Sequence, residues 1–304
     1  MAVAAADVAL IRRARRRRRV RENLTAYAFL APGLLFFTTF LLVPIGWVVR
    51  QSFLSGGVLG PARWVGLDNW SHAPHDPALR RSLVHTATYT LMVVPAVVVL
   101  ALVLALLLAR VRRGGALVRA VVYVPSLAPV VLAAVIWLFM VQPDFGLLNL
   151  ANRTLGLAPL NFLGSQSLAL PTIALLDVWR SVGFWALVLL AAVLAVSPTL
   201  HQAAQLDGAS RLRRLWHVTL PGIRPIVAVA ALLVTVTSMQ VFDSVYVLTS
   251  GGPAGATQTA VVYVYTSVFE SGDPGYGAVL SLVLLVVIVA LTGVLVRVIG
   301  RAVR

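Results

Sequence analysis

Ionisable side chains are scarce inside the apolar runs of this chain, so the few found there are the first candidates for chemistry. They are Asp177 and Arg180, three residues apart in one run, and Asp243 in another. A charge at membrane depth is costly and faces a cavity or a partner. Asp177 and Arg180 can pair along one helix face, or Arg180 can bridge to Asp243, and such charges serve either structure or a solute path. Around them stand aromatic faces and hydrogen-bonding groups of the kind that hold a sugar: Trp179, Gly183, Phe184 and Trp185, with Thr237, Ser238 and Gln240 shortly before Asp243. Ordinary packing is the alternative for each, since small and hydroxyl residues favour helix contacts in lipid.

Other chemistry is thinly represented. His72, His75 and Asp76 have a metal-like spacing, but His-x-x-His on a proline-containing loop is unspecific and lacks a further ligand, so no metal is expected. No Ser-His-Asp arrangement or carboxylate pair stands out among only 10 acidic residues, and catalysis is not expected. There is no cysteine, which excludes disulfides and thiolate chemistry. There is also no lysine, which excludes a Walker A loop and a Schiff-base enzyme, so the chain binds no ATP through a P-loop of its own.

The elements that must position these groups are membrane helices. Of the 304 residues, 60% are hydrophobic and 12% charged, and the mean hydropathy is +0.91, far from a soluble domain. Runs of roughly 20 apolar residues suffice to cross a bilayer. Six are present, at about 27–49, 86–108, 120–141, 170–196, 225–248 and 278–298. The expected fold class is thus an all-α membrane protein with six transmembrane helices and both termini on one side.

Arginine placement sets that side. Nineteen of the 25 arginines fall in the N-terminal tail, the second-to-third and fourth-to-fifth connections, and the C-terminal tail. Basic residues accumulate in short cytoplasmic segments, so both termini are expected in the cytoplasm. Residues 1–26 form a basic tail, and residues 27–304 the six-helix domain. The run Arg15 to Arg19 would suit nucleic acid electrostatically. Standing directly before a span with no folded basic domain around it, it is instead expected to be a topology signal with affinity for membrane lipid. The apolar run after it is too long for a secretory signal peptide.

One cytoplasmic connection, residues 199–222, is unusually patterned. It reads Gln202-Ala203-Ala204-Gln205-Leu206-Asp207-Gly208-Ala209, then Leu215, Trp216, Leu220 and Pro221. Two helical pieces joined through Asp207-Gly208 make a rigid elbow, with aspartate apt as an N-cap and glycine permitting a sharp change of direction. Pro221 and Pro225 bracket the entrance to the following helix, where proline is tolerated. The third outward loop carries Phe242-Asp243, Tyr246, Leu248-Thr249 and Gly251-Gly252-Pro253. Later in the same loop, before the last helix, come Thr257, Tyr263, Tyr265, Phe269 and Tyr276.

These two motifs, at one helix's distance from each other, resemble the permease subunits of bacterial binding-protein-dependent ABC importers of the carbohydrate-uptake class, the maltose and glycerol-3-phosphate type. The resemblance implies a type I ABC importer permease fold in the bacterial cytoplasmic (inner) membrane. It implies that Gln202, Ala203, Ala204, Asp207, Gly208, Ala209, Leu215, Trp216 and Pro221 dock on an ATPase subunit, and that solute contacts lie on the fourth and fifth helices. The implied partners are a dimer of ATPase subunits that bind ATP and Mg, a second permease subunit forming a heterodimer, and an extracytoplasmic solute-binding protein. Two positions depart from the family pattern: Gln202 stands where it has glutamate, and Leu215 with Trp216 where it has a single aromatic. The expected function is ATP-driven import of a sugar or sugar-like solute by alternating access. An ion-gradient-driven secondary transporter, the chief rival, would show embedded acidic ion sites and internal repeats, and a membrane enzyme would show a polar catalytic cluster.

Overall fold

The computed structural model describes residues 25–56, 61–111 and 113–303. The arginine-rich tail before Thr25, and Arg112 and Arg304, lie outside the described residues. Helix α1 spans Thr25–Gln51, and α2 Pro77–Leu108. Helices α3 (Gly115–Leu127) and α4 (Val130–Met140) follow, then the short α5 (Leu147–Thr154). Next come α6 (Ala169–Ala195), α7 (Pro198–Leu206) and α8 (Arg211–Met239). Helices α9 (Asp243–Thr249), α10 (Ala260–Glu270) and α11 (Pro274–Val303) complete the chain. Two residue pairs, β1 (Leu54–Ser55) and β2 (Arg63–Trp64), form an antiparallel ribbon. Among the described residues five helices are long and apolar enough to cross a bilayer, or six if α3 and α4 together form one span.

Two of the expected spans are broken. The run at 120–141 is bent by 94° between α3 and α4. Pro129 donates no hydrogen bond and excludes helical geometry from the residue before it, and Ala128 is accordingly extended, at φ −70° and ψ 131°. The run at 225–248 is also not one helix: α8 ends at Met239, and α9 begins at Asp243. Nor does α8 begin at Pro225. It starts at Arg211 and carries Pro221 and Pro225 within its length. A wider π-helical turn at Leu215–Thr219, closed by the Leu220 N–H on the Leu215 carbonyl, lies just ahead of Pro221. A similar turn, Thr38–Leu42, precedes Pro44 in α1. Such a turn accommodates a ring that would collide with the carbonyl of the preceding turn.

The core is the crossing of α2 on α6. Val93, Val97, Ala101 and Ala105 recur every fourth residue and bury one stripe of α2, the valines in a cluster with Ile173, Leu176 and Val182 of α6 and the alanines in one with Ala186, Leu189 and Leu190. The fully buried alanines let the backbones approach closely, which in lipid replaces the hydrophobic drive that water would supply. Helix α3 is held on α6 by a second device. The Ser126 hydroxyl donates to the Arg180 carbonyl at 2.6 Å and accepts from the Phe184 N–H at 3.1 Å, thereby inserting into the backbone ladder of α6. Gly183 makes this approach possible, because a Cβ there would stand 2.1 Å from the Val122 carbonyl oxygen.

Candidate functional site

Asp177 is buried at the centre of the bundle, and its Oδ2 accepts from the Tyr89 hydroxyl and the Ser244 hydroxyl, each at 2.5 Å. One carboxylate thereby ties α6 to α2 and to α9. Its Oδ1 lies 3.8 Å from Arg180 Nε. Of the two pairings open to Arg180, the one along its own helix is formed, and no ion pair joins it to Asp243 among the described residues. Asp243 is exposed in the first turn of α9, where the helix dipole favours a negative charge.

Between Met239 and Asp243 the backbone leaves helical geometry, and its polar groups need other partners. The Gln240 N–H reaches the Thr237 carbonyl at 3.2 Å, the Val241 N–H reaches the Ser238 carbonyl at 3.3 Å, and the Thr259 hydroxyl donates to the Val241 carbonyl at 3.2 Å. Irregular backbone at this depth is tolerated where it is buried in protein or lines a cavity. A cavity of about 160 Å³ is present at the break, walled by α2, α4, α6, α8 and α9.

The cavity sorts the expected solute residues by helix face. Trp185, Thr237, Ser238, Gln240 and Asp243 line it together with Asp177 and Arg180. Trp179, Gly183 and Phe184 do not. Trp179 and Gly183 line an apolar cleft against α3, and the Trp179 ring lies 6.0 Å from that of Trp137. Phe184 is exposed beside the Ser126 junction and packs edge-on against Trp185 at 5.1 Å. Asp177, Ser181 and Trp185 fall at spacings of four, one helical face, whereas 179 and 183 lie on another. Tyr89, Ser181 and Ser244 line the cavity too; nothing in their local sequence marked them. Phe242, Tyr246, Tyr265 and Phe269 extend from its rim as a chain of rings 4.9–5.2 Å apart.

At the far end of α8 lies the elbow. Helix α7 ends in a Schellman turn: the Ala209 N–H reaches the Ala204 carbonyl at 2.9 Å and the Gly208 N–H the Gln205 carbonyl at 3.1 Å. Gly208 has φ +74°, a conformation glycine adopts without cost. Asp207 closes α7 rather than capping α8. The N-cap of α8 is Ser210, whose hydroxyl accepts from the Arg213 N–H at 3.3 Å. Arg214 braces the corner by donating to Gln205 Oε1 at 3.2 Å. Gln202, Ala203, Asp207 and Gly208 are exposed, as is Pro221, while Ala204, Ala209 and Leu215 are half-buried. Large apolar side chains project into the open, among them Leu206 at 90% exposure, Leu212 at 65% and Trp216 at 62%.

The third polar cluster is structural. Asp76 caps α2 through Oδ1 on the Ala78 N–H at 2.8 Å, and its Oδ2 accepts from Tyr263 at 2.7 Å and Tyr276 at 2.5 Å. The carboxylate is therefore committed to α2, α10 and α11. The neighbouring His72 ring packs edge-on against Tyr276, and His75 Nδ1 contacts the Ser71 carbonyl. No group of His, Cys, Asp and Glu able to hold a metal ion occurs among the described residues. Burial alone would raise the Asp76 pKa, but the hydrogen bonds from Tyr276, Tyr263 and the backbone outweigh it and hold the carboxyl below its ordinary range. A lowered carboxyl pKa contributes stability above the unfolded value and loses it as pH falls through the folded one. The thermal midpoint of the purified chain should therefore drop on acidification below about pH 4. Asp76→Asn should cost about 1.5–3 kcal/mol at neutral pH and flatten that acid limb. An unchanged acid limb in the variant would remove Asp76 as its source.

Comparison with known proteins is consistent with this arrangement. A family model described as "Binding-protein-dependent transport system inner membrane component" matches residues 77–304. The chain is 32% identical over 282 residues to a trehalose/maltose transport system permease protein of Thermococcus litoralis, covering 92% of this chain and 95% of that one. It is 29% identical over 280 residues to a sulfoquinovosyl glycerol transport system permease protein of Agrobacterium fabrum, covering 91% of each. Among solved structures, a chain of a bacterial alginate ABC transporter, in complex with a periplasmic protein bound to an alginate pentasaccharide, superposes with a TM-score of 0.83 at 21% identity. That match covers 94% of this chain and 98% of that one, and it shows a shared fold.

Proposed function

Because this chain belongs to the family of binding-protein-dependent transport system inner membrane components, and is an integral membrane permease subunit of an ABC transporter, we propose that it imports a sugar or sugar-like solute across the cytoplasmic membrane. Family membership favours ATP-driven transport over the ion-gradient-driven alternative. ATP and Mg bind to partner ATPase subunits, in keeping with the absence of lysine here. A second permease and an extracytoplasmic solute-binding protein complete the assembly. With the arginine-rich connections in the cytoplasm, the elbow meets the ATPase, and the cavity lies toward the opposite face.

The observation that carries this reading is the continuity of α8. Its 29 residues run unbroken from the elbow to the cavity and stop there. A displacement imposed at Asp207 to Ala209 is passed along one helix to Thr237, Ser238 and Gln240. The cavity, at about 160 Å³, is smaller than the roughly 300 Å³ at which small-ligand pockets begin. Solute passage therefore requires its walls to move, as alternating access supposes. The test is uptake into proteoliposomes. Solute should enter only when the ATPase subunits are present and competent to hydrolyse ATP; uptake by this chain alone under an ion gradient would overturn the proposal.

Gln202 is exposed on α7, within the stretch proposed to dock on the ATPase. It can hydrogen bond there but cannot form the ion pair that a glutamate would make. Gln202→Glu should tighten association with the ATPase by about two- to fivefold, the scale of an exposed ion pair. Affinity and transport indistinguishable from the parent would show that this position does not limit docking.

A further inference from the structure

A second cleft, of about 430 Å³, opens at the Pro77 end of α2. One wall is a single face of α2, on which Arg81, His85, Thr88 and Met92 follow at helical spacing. The other walls are the first turn of α6 with the residues preceding it, and the loop following α9. Among the described residues the lining contains a guanidinium and an imidazole but no carboxylate, unlike the central cavity with Asp177 and Asp243. Arg81 spends only its Nε, on the Pro77 carbonyl at 3.3 Å, so its terminal nitrogens remain available. The His85 ring is oriented by contact of Nδ1 with the Gln258 carbonyl at 3.2 Å.

The lining also grades along α2. Arg81 and His85 lie nearest its Pro77 end, while Met92 lies furthest along it, and the apolar Leu170 and Pro171 complete the lining with it. From Arg81 to Met92 the helix descends about 16 Å, close to the thickness of one leaflet of the hydrocarbon core. A small soluble anion would need only the cationic end. A cationic end beside an apolar slot matches an amphiphile.

We propose that this cleft binds one anionic phospholipid, its phosphate on Arg81 and beside His85, and an acyl chain along Thr88 and Met92. By the sidedness given above, the lipid belongs to the outer leaflet. Bound there, it bridges α2, α6 and the loop after α9, three elements that also wall or flank the central cavity.

The experiment is native mass spectrometry of the purified full chain in detergent, with dioleoyl phosphatidylglycerol or dioleoyl phosphatidylcholine added. One phosphatidylglycerol should be retained in preference to phosphatidylcholine. Retention should fall by about fivefold in Arg81→Gln, the scale of one surface cation acting on anionic lipid, and further in Arg81→Gln with His85→Gln. Arg63→Gln, elsewhere on the surface, should retain lipid like the parent. Equal retention of both lipids, or undiminished phosphatidylglycerol in the double variant, would refute the site. Displacement by millimolar glycerol phosphate as complete as by intact lipid would show a soluble phosphate-ester site and refute the acyl slot. If Arg81→Gln instead abolishes association with the solute-binding protein and leaves the lipid count unchanged, this face is a protein contact and the lipid proposal is wrong.

Discussion

Asp177→Ala is expected to unfold far below the parent chain and to leave little monodisperse protein after extraction. The substitution strips the acceptor from the Tyr89 and Ser244 hydroxyls together and leaves Arg180 without its nearby counter-charge. Breaking a buried charge pair by removing one partner costs about 3–5 kcal/mol; with Arg180 half-buried the lower end applies, against a total stability of roughly 5–15 kcal/mol for a folded protein. Tyr89→Phe and Ser244→Ala should each cost only about 1 kcal/mol, the scale of a hydrogen bond between membrane helices. Asp177→Asn should fall between, since it retains an acceptor but not the charge. Thermal unfolding in detergent, followed by tryptophan fluorescence, ranks the four variants. If Asp177→Ala costs no more than Tyr89→Phe, the carboxylate is not what holds α2, α6 and α9 together.

The second large effect is expected at the elbow, and it should leave the fold intact. Leu206 and Trp216 present large apolar surfaces outside the bundle, which is the character of interface anchors. Replacing both with aspartate should weaken ATPase association by about 2 kcal/mol for each, or roughly thirtyfold for each in Kd. The thermal midpoint of the isolated chain should not change, because neither side chain is buried in it. Gly208→Val has a different outcome. Its φ of +74° penalises a β-branched residue, so the corner should distort while the docking side chains remain, and ATP should be hydrolysed with less transport per turnover. Wild-type association in the Leu206→Asp, Trp216→Asp chain would place the ATPase contact elsewhere.

Sequence patterns exposed those features that repeat along one segment. The apolar runs, the arginine asymmetry and the Asp207-Gly208 corner are local, as is the spacing of Asp177 from Arg180. The two helix breaks were hidden for different reasons. Between α3 and α4, Pro125 and Pro129 carried a signal, but the surrounding apolar composition continues through the bend. Between α8 and α9, Gln240-Val241-Phe242 contains neither glycine nor proline, and the break is stabilised by Thr259, a residue from a later loop. The same separation hid the role of Asp76. His72 and His75 beside it lacked a further metal ligand, and its partners Tyr263 and Tyr276 lie 187 and 200 residues downstream. Helix phase separates the solute candidates on α6: Trp185 lines the central cavity on the face of Asp177, while Trp179 and Gly183 line the cleft against α3.

The length of α8 sets a mechanical gain. Its 29 residues measure about 43 Å, so tilting it by about 5° about its elbow end would sweep Met239 through about 4 Å. Such a sweep exceeds the slack of any hydrogen bond across the Gln240–Phe242 break, whereas the corner itself would rotate by an angle small enough to leave its Schellman turn closed. Taking two turns out of the helix would cut the sweep by about a quarter. Stroke at the cavity is thus a quantity written in residue count, and it can be shortened or extended without touching a single side chain in either site.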